Sequence, residues 1–490
     1  MRSFTLLLAI ALQTSIISSC HGGGVHENEP SNPTGGTAHA HATPIANHLP
    51  SEPRTPAEHL VHRIAEFWAD ANPGMAAYMG YRATDTRLET DVLGMKDVGL
   101  PRARALLSEA DQFDMHAASL VERTDIEIAK SFLHQRIHEQ EHAPTEAGAP
   151  LGRDELEFYF REYLAEGVDG LLARCDKQIA EQLAELNARA KRIAPSETWE
   201  TLIEHLSEDY VKTNEGLLAA TEHQLARADA FYSVHKIIPS PGRDFVLIPY
   251  DGKTLFGPVG AYNPPDPILN PGDKPGKFTY AQFNVDPTGE IQVSPPDLDA
   301  WWRRFIKDDL AATVIHESAL GHHVQWSTSL RHPSFARKIW HLNGLDFMEG
   351  WGRYTEVLSG ELGLLNANEQ LFTSLWRYRD ALATRSSIRM NLGLVSRDAT
   401  IELLVREGRY TRNEAEQFTS SWLSSPLAVL GLRAIYLVGV DRILTLRERF
   451  RELRSVAEES HDQFLLRFHT ELLSHGMIAL PLMEREMFGQ

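Results

Sequence analysis

The chain has 490 residues, 42% of them hydrophobic, enough to bury a large core divided among as many as three lobes. It carries 67 acidic and 48 basic side chains, a net charge of −19 at pH 7. That balance speaks against a nucleic-acid partner, whose binding rests on clustered Lys and Arg, and no glycine-rich phosphate loop, dinucleotide fingerprint or nucleophile elbow points to a nucleotide cofactor.

Residues 1–19 combine Arg2 with the apolar run Leu6 to Leu12 and read as a secretory signal, too short to span a bilayer. The small residues of Ile17-Ser-Ser-Cys20 resemble the bacterial lipobox, which implies cleavage before Cys20 and acylation of its thiol and new amino terminus. Several acyl chains anchor stably where one does not, so the expected place is the bacterial envelope, exported and lipid-anchored. With Cys20 acylated, Cys175 has no partner for a disulfide. Residues 20–54, rich in Gly, Pro, Thr, Asn and His, describe a flexible linker. Its His21, His26, His39, His41 and His48 read as incidental polar residues.

From residue 55 to about 230 the three-and-four spacing of apolar residues predicts helices over 58–69, 96–113, 123–141, 153–163, 168–193 and 197–230. Between Asp244 and Ser294 the pattern changes, with strand-like runs at 245–250, 278–285 and 290–293 separated by turns rich in Pro and Gly. The edge of such a sheet can bind an extended peptide by strand addition, or the sheet can serve packing alone.

The sheet leads into Ala312-Thr-Val-Ile-His316-Glu317-Ser-Ala-Leu-Gly321-His322-His323-Val-Gln325. The common zinc-peptidase helix places two His four residues apart, where they share a face, but the position four after His316 is Leu320. The seventh residue of a straight helix returns to the same face about 10 Å along the axis. That is too far for two imidazoles to meet one ion at about 2.1 Å each. A metal site here therefore requires a bulged or unwound helix, and Gly321 is the residue that permits it. Phe347, Trp351, Tyr354 and Leu358 then recur at helical spacing, predicting an amphipathic helix with Glu349 and Glu356 on one flank. A zinc site with two His and a water needs one more anionic ligand, for which Glu349 is placed. Glu356 suits an outer role, accepting from a ligand imidazole.

Helices are further predicted over 370–389, 397–408, 412–421, 427–456 and 461–474. No fixed-period repeat and no internal linker is evident, so residues 55–490 are read as one large, mainly α catalytic domain with a small sheet beside the metal helices.

His316-Glu-Ser-Ala-Leu-Gly-His-His323-Val-Gln, followed by Phe347-Met-Glu-Gly-Trp-Gly-Arg-Tyr-Thr-Glu356, resembles the signature of domain-of-unknown-function family 885, bacterial proteins regarded as metal-dependent peptidases. The likeness extends to Phe67-Trp68, Asn72-Pro73, Gly80 and Asp85-Thr-Arg-Leu88, and to Gly431-Leu-Arg-Ala-Ile-Tyr436-Leu-Val-Gly439, Phe468-His469, Gly476 and Pro481. It implies a distant relation to helical zinc peptidases of the angiotensin-converting enzyme and thimet oligopeptidase type. Carried over, the ligands of one zinc ion are His316, His322 and Glu349. Glu317 is then the general base, and Tyr436 is the donor to the developing oxyanion, with His469 and His323 behind it. A channel enclosed by helices would favour short peptide substrates. The resembled family usually has Pro at Leu320, His at Val395 and Gln at Leu432. The departures at Val395 and Leu432 favour a rival reading, a non-catalytic metal-binding or structural envelope lipoprotein. Glu317 speaks against it, since a structural metal site needs no base beside its ligand.

Overall fold

The computed structural model describes residues 52–81, 96–142, 148–239, 244–251, 259–282 without 267, 270 and 273, 295–423 without 319, and 426–489 without 455. The expected signal, Cys20, most of the linker, Asp85 to Leu88 and the strand at 290–293 lie outside the described residues. The fold is mainly α with one small three-stranded sheet, as the apolar spacing predicts.

Helices start where a side chain can cap them. Thr55 accepts from the Glu58 N–H at the head of α1 (Pro56–Ala71), which gives way at Asn72 to α2 (Pro73–Met79). After α3 (Lys96–Asp111), a reciprocal Ser119/Glu122 box opens α4 (Leu120–Glu141), and α5 (Arg153–Leu164) and α6 (Val168–Ile193) follow. The single helix expected over 197–230 is in fact two, α7 (Trp199–Leu206) and α8 (Asn214–His235). Between them Tyr210 bridges to Ile306, and the Val211 N–H donates to the Phe305 carbonyl. Tertiary pairing with the approach to the His316 helix thus overrides local propensity, and Thr213, accepting from the Gly216 N–H, restarts the helix.

Strands β1 (Phe245–Asp251), β2 (Gly260–Asn263) and β3 (Gly276–Gln282) stand in the order β1-β3-β2. β1 runs parallel to β3 with Phe245 opposite Gly276, and β2 runs antiparallel with Tyr262 opposite Phe278. Sequence periodicity places no strand at β2, whose four residues are too few to show an alternation.

The second half of the chain runs α9 (Pro295–Trp302), α10 (Lys307–Glu317), α11 (His322–Ser329), α12 (Ala336–Ile339), α13 (Leu345–Glu361) and α14 (Ala367–Asn391). It continues with α15 (Arg397–Arg406), α16 (Arg412–Trp422) and α17 (Pro426–Val429), then a π-helical turn over Leu430–Ala434. That turn interrupts the helix expected over 427–456 before α18 (Ile435–Arg454), α19 (His461–Ser474) and α20 (Leu480–Phe488) complete the fold. Capping boxes at Asn366/Glu369, Thr411/Glu414 and Ser460/Gln463 open α14, α16 and α19.

One buried apolar cluster draws on residues from Ala57 to Met487, and a smaller one under the sheet gathers Phe278, Tyr280, Trp301, Phe305, Leu310 and Val314. Between these, α13 departs from its expected amphipathic pattern. Asp346, Glu349, Arg353 and Glu356 are buried along with its apolar residues, because α10 covers one side and α18 the other. Where α13 crosses α18, Gly350 faces Gly439, and a Cβ on either would overlap the other helix's backbone. This close crossing leaves no wet face on α13 before its last turn, so the charges at Asp346, Glu349, Arg353 and Glu356 must find partners inside the protein.

The C-terminal helices are tied down by Arg337, whose side chain is fully buried. It donates from Nε to Asp125 Oδ1 at 2.9 Å, from Nη2 and Nη1 to Glu486 at 2.6 and 2.9 Å, and from Nη1 to the His475 carbonyl at 2.6 Å. Arg337→Met leaves the buried Glu486 carboxylate and the half-buried Asp125 carboxylate without their arginine and is expected to cost about 3–5 kcal/mol of stability. Urea unfolding measures this; a loss under about 1 kcal/mol would contradict the clamp.

Candidate metal centre

α10 ends at Glu317 and α11 begins at His322. At the break, Ser318 and Gly321 have ψ of −149° and −126°, far from the helical value of about −42°. A Cβ at Gly321 would overlap the His316 carbonyl oxygen, so no larger residue fits this turn. The Gly321 carbonyl accepts from Trp351 Nε1 at 3.1 Å, which fastens the turn to α13. The unwound turn swings His322 back onto His316, and their rings meet edge-on with centroids 4.7 Å apart.

Glu349 projects from α13 toward both. Its Oε2 lies 3.4 Å from His316 Nε2 and 3.6 Å from His322 Nε2, and the three candidate donor atoms all fall within 4.8 Å of one another. Ligand atoms at about 2.1 Å in tetrahedral array around zinc stand about 3.4 Å apart, so the trio has room for one such ion and offers the two-nitrogen, one-oxygen set that zinc accepts. Among the described residues this is the one group of three His, Cys, Asp or Glu side chains with that spacing.

Each imidazole is aimed by a second partner. His316 Nδ1 donates to Glu356 Oε1 at 2.8 Å, leaving Nε2 to face Glu349. His322 Nδ1 pairs with Gln325 Oε1 at 3.1 Å, and Gln325 Nε2 donates to the Phe347 carbonyl at 3.0 Å. That second bond fixes the amide's orientation, so Oε1 is the acceptor and His322 Nε2 is left for a ligand. The His316 ring lies against Gly352, where a Cβ would overlap it. Burial is the largest influence on His316 and lowers its pKa, but Glu349 and Glu356 outweigh it and carry the group up to about 10. Burial likewise pushes Glu349 upward, yet the neighbouring His316 and His322 hold it far below the usual carboxylate range.

Glu317 stands beside the trio. Its Oε2 accepts the Tyr262 N–H at 2.8 Å from β2, and burial raises its pKa against the opposing pull of His322 and His316. The Tyr436 ring lies 6.0 Å from that of His316 and its hydroxyl bonds to Glu349. Burial above all, then Glu349, lifts its pKa far above 10, so it remains a neutral hydroxyl.

The other two candidates lie elsewhere. His323 turns to the sheet, with Nδ1 3.1 Å from the Tyr262 hydroxyl and its ring 4.9 Å from that of Phe245. His469 donates from Nδ1 to the Ile237 carbonyl at 2.6 Å and accepts at Nε2 from the Tyr354 hydroxyl at 2.8 Å. With both nitrogens engaged in the core, His469 has no hydrogen left to give an oxyanion; burial, the leading cause, lowers its pKa to about 3. Val395 packs half-buried against the main core, and Leu320 is buried in the turn. The side chain of Leu432 lies outside the described residues. Tyr262, Gln325 and Arg353 complete the surroundings without having been singled out by sequence. Gln325 sits three residues after His322, a helical spacing that signals such a pair, whereas Tyr262 is remote in the chain and carries no such signal.

A family model described as bacterial protein of unknown function, DUF885, matches residues 133–487, well over half of the chain. Among solved structures, a proposed lipoprotein of unknown function from Shewanella oneidensis is similar with a TM-score of 0.58 and 17% identity, over 89% of this chain and 88% of that one. A proposed lipoprotein from Colwellia psychrerythraea is similar with a TM-score of 0.57 and 15% identity, over 90% and 77%. At these identities the likeness speaks to the fold. A comparison with curated proteins finds no match.

Gly352→Ala forces a methyl group into the His316 ring. It is expected to cost about 1–3 kcal/mol of stability, as overpacking does. Denaturant unfolding reads this out, and an unchanged midpoint would show that the ring is free to move aside.

Proposed function

The chain belongs to the DUF885 family of bacterial proteins of unknown function, and we propose that it is a zinc-dependent hydrolase of peptide bonds. The observation that carries this reading is the buried His316, His322 and Glu349 trio with a half-buried carboxylate, Glu317, next to it. The resemblance of the motif to helical zinc peptidases agrees with it. His316 and His322 through Nε2, and Glu349 through a carboxylate oxygen, would hold the ion. When bound, zinc supplies Lewis acidity, bringing the pKa of water toward neutrality and polarising a carbonyl.

The remaining work falls to side chains. Glu317, steadied by the Tyr262 N–H, takes the proton of the attacking water and passes it to the leaving amine. Burial raises its pKa, the direction that helps a carboxylate take up a proton. Tyr436 donates its hydroxyl hydrogen to the carbonyl oxygen as that oxygen becomes anionic. β2 supplies a track for the substrate. Ala281 N–H donates to the Val259 carbonyl, so Gly260 and Tyr262, in alternate register, turn their main-chain groups away from β3; the Tyr262 N–H is taken by Glu317, which leaves the Gly260 groups and the Tyr262 carbonyl for a peptide. An extended peptide added there passes beside Glu317. The rival reading, a metal-binding protein without turnover, rests on Val395 and Leu432; the placement of Glu317 favours catalysis, since a closed structural site has no use for it.

The lipobox-like Ile17-Ser-Ser-Cys20, together with structural neighbours that are proposed lipoproteins, supports an envelope protein anchored through acylated Cys20. Among the described residues no helix is long and apolar enough to cross a membrane. Cys20→Ala is expected to move the protein from the membrane fraction to the soluble one; an unchanged distribution would remove the anchor.

The catalytic reading is tested by separating metal from turnover. Alanine at His316, His322 or Glu349 is expected to abolish most zinc binding, while His323→Ala keeps it. Glu317→Gln preserves shape but cannot take up a proton, so zinc stays near full occupancy and peptide turnover falls by about 10² or more. Parental turnover in that variant excludes Glu317 as base. Loss of zinc in it redraws the ligand set.

A further inference from the structure

We propose that Arg353 is a positioning residue: its guanidinium holds Glu356 against the ligand His316 and supports the ring of Tyr436, and Asp380 holds Arg353 in turn. This rests on the metal reading above. Arg353 Nη1 donates to both Glu356 oxygens, at 3.0 and 2.8 Å, and Glu356 Oε1 is the same atom that receives His316 Nδ1–H at 2.8 Å. On its other side Arg353 Nε lies 3.2 Å from Asp380 Oδ2, an ion pair without hydrogen-bond alignment, while Asp380 Oδ1 accepts from Arg433 Nη1 at 3.1 Å. The Arg353 Cζ also stands over the Tyr436 ring, 5.1 Å from its centroid.

Outward from the candidate ligand His316 on α10, four side chains alternate in sign: Glu356, Arg353, Asp380 and Arg433. They come from α13, α14 and the π-helical turn before α18. The side chains of Glu356, Arg353 and Asp380 are 2%, 7% and 1% exposed, so water cannot replace a lost partner. A guanidinium meets a carboxylate from two sides of one plane and stacks on an aromatic face as well; an ammonium does neither, so lysine keeps the charge here but not the geometry. Both ends of the chemistry converge on this group: the orientation of a ligand imidazole through Glu356, and the seat of the proposed oxyanion donor through Tyr436.

Zinc affinity, measured by competition with a chelator, and kcat and KM on a peptide decide the matter. The full-length proteins compared are the parent, Arg353→Lys, Asp380→Asn, Glu356→Gln, the Arg353→Lys/Glu356→Gln double variant, and Arg337→Lys as an equally buried arginine outside the site. The parent should bind one zinc. Glu356→Gln should weaken zinc by about 10- to 100-fold, the range seen when partners of metal ligands are removed, and Arg353→Lys and Asp380→Asn, which act through Glu356, should each weaken it by about 10-fold, the low end of that range. In both, kcat should fall more than KM rises. The double variant should bind zinc as weakly as Glu356→Gln alone, because Arg353 acts through Glu356. Arg337→Lys should lose stability and keep parental zinc affinity. Should Arg353→Lys fail to fold, Asp380→Asn gives the same decision. Parental affinity in both Arg353→Lys and Asp380→Asn, or effects of Arg353→Lys and Glu356→Gln that multiply, overturn the proposal while leaving the zinc site standing. A parent that takes no zinc overturns the metal reading itself, and this inference with it.

Discussion

Two imidazoles six residues apart on a regular helix stand about 9 Å apart along its axis and on different faces, so they cannot serve one ion unless the helix is broken between them. The turn from Ser318 to Gly321 is that break, and the rest of the site depends on it. It lets the chain reverse enough for His322 to face His316, and it is possible because Gly321 has no Cβ to collide with the His316 carbonyl. Trp351 Nε1, reaching the Gly321 carbonyl, makes the break part of the packing against α13. The helix that supplies Glu349 therefore also fixes the distance between the two histidines.

α13 meets this task with a sequence unlike that of an ordinary core helix. Glycines at 350 and 352 admit α18 and the His316 ring, while Asp346, Glu349, Arg353 and Glu356 are carried inside. Burying so many charges is unfavourable unless each is paired, and here the pairing is continuous: Asp346 with Arg442, Glu349 with the two imidazoles, Glu356 with His316 and Arg353, and Arg353 with Asp380. Such a network costs stability that apolar packing would not, which is the pattern expected where chemistry rather than folding selects the residues.

Much of this was legible in the sequence because its signals are local. Apolar periodicity located most of the helices, with 168–193 and 461–474 matching the observed α6 and α19. The misfit between helix geometry and the spacing of His316 to His322 demanded an unwound turn, and the glycine before His322 marked where. What escaped was set by partners far along the chain. The helix expected over 197–230 divides because Tyr210 and Val211 pair with residues beyond 300. Tyr262 reaches Glu317 from a strand of four residues, too short to be read. The burial of α13 on all sides up to Glu356 follows from a glycine-to-glycine crossing that one helix's sequence cannot disclose. His469 shows the converse: a histidine that the motif likeness makes a donor has both nitrogens engaged in the core.

The account stands or falls on one ion at one place. Anomalous X-ray diffraction from crystals of the zinc-supplemented protein, recorded on either side of the zinc edge, reads this directly. The account predicts a single strong peak bounded by His316 Nε2, His322 Nε2 and Glu349, about 2.1 Å from each nitrogen. A peak held by His323 instead, or a well-ordered trio with no anomalous density beside it, would contradict it.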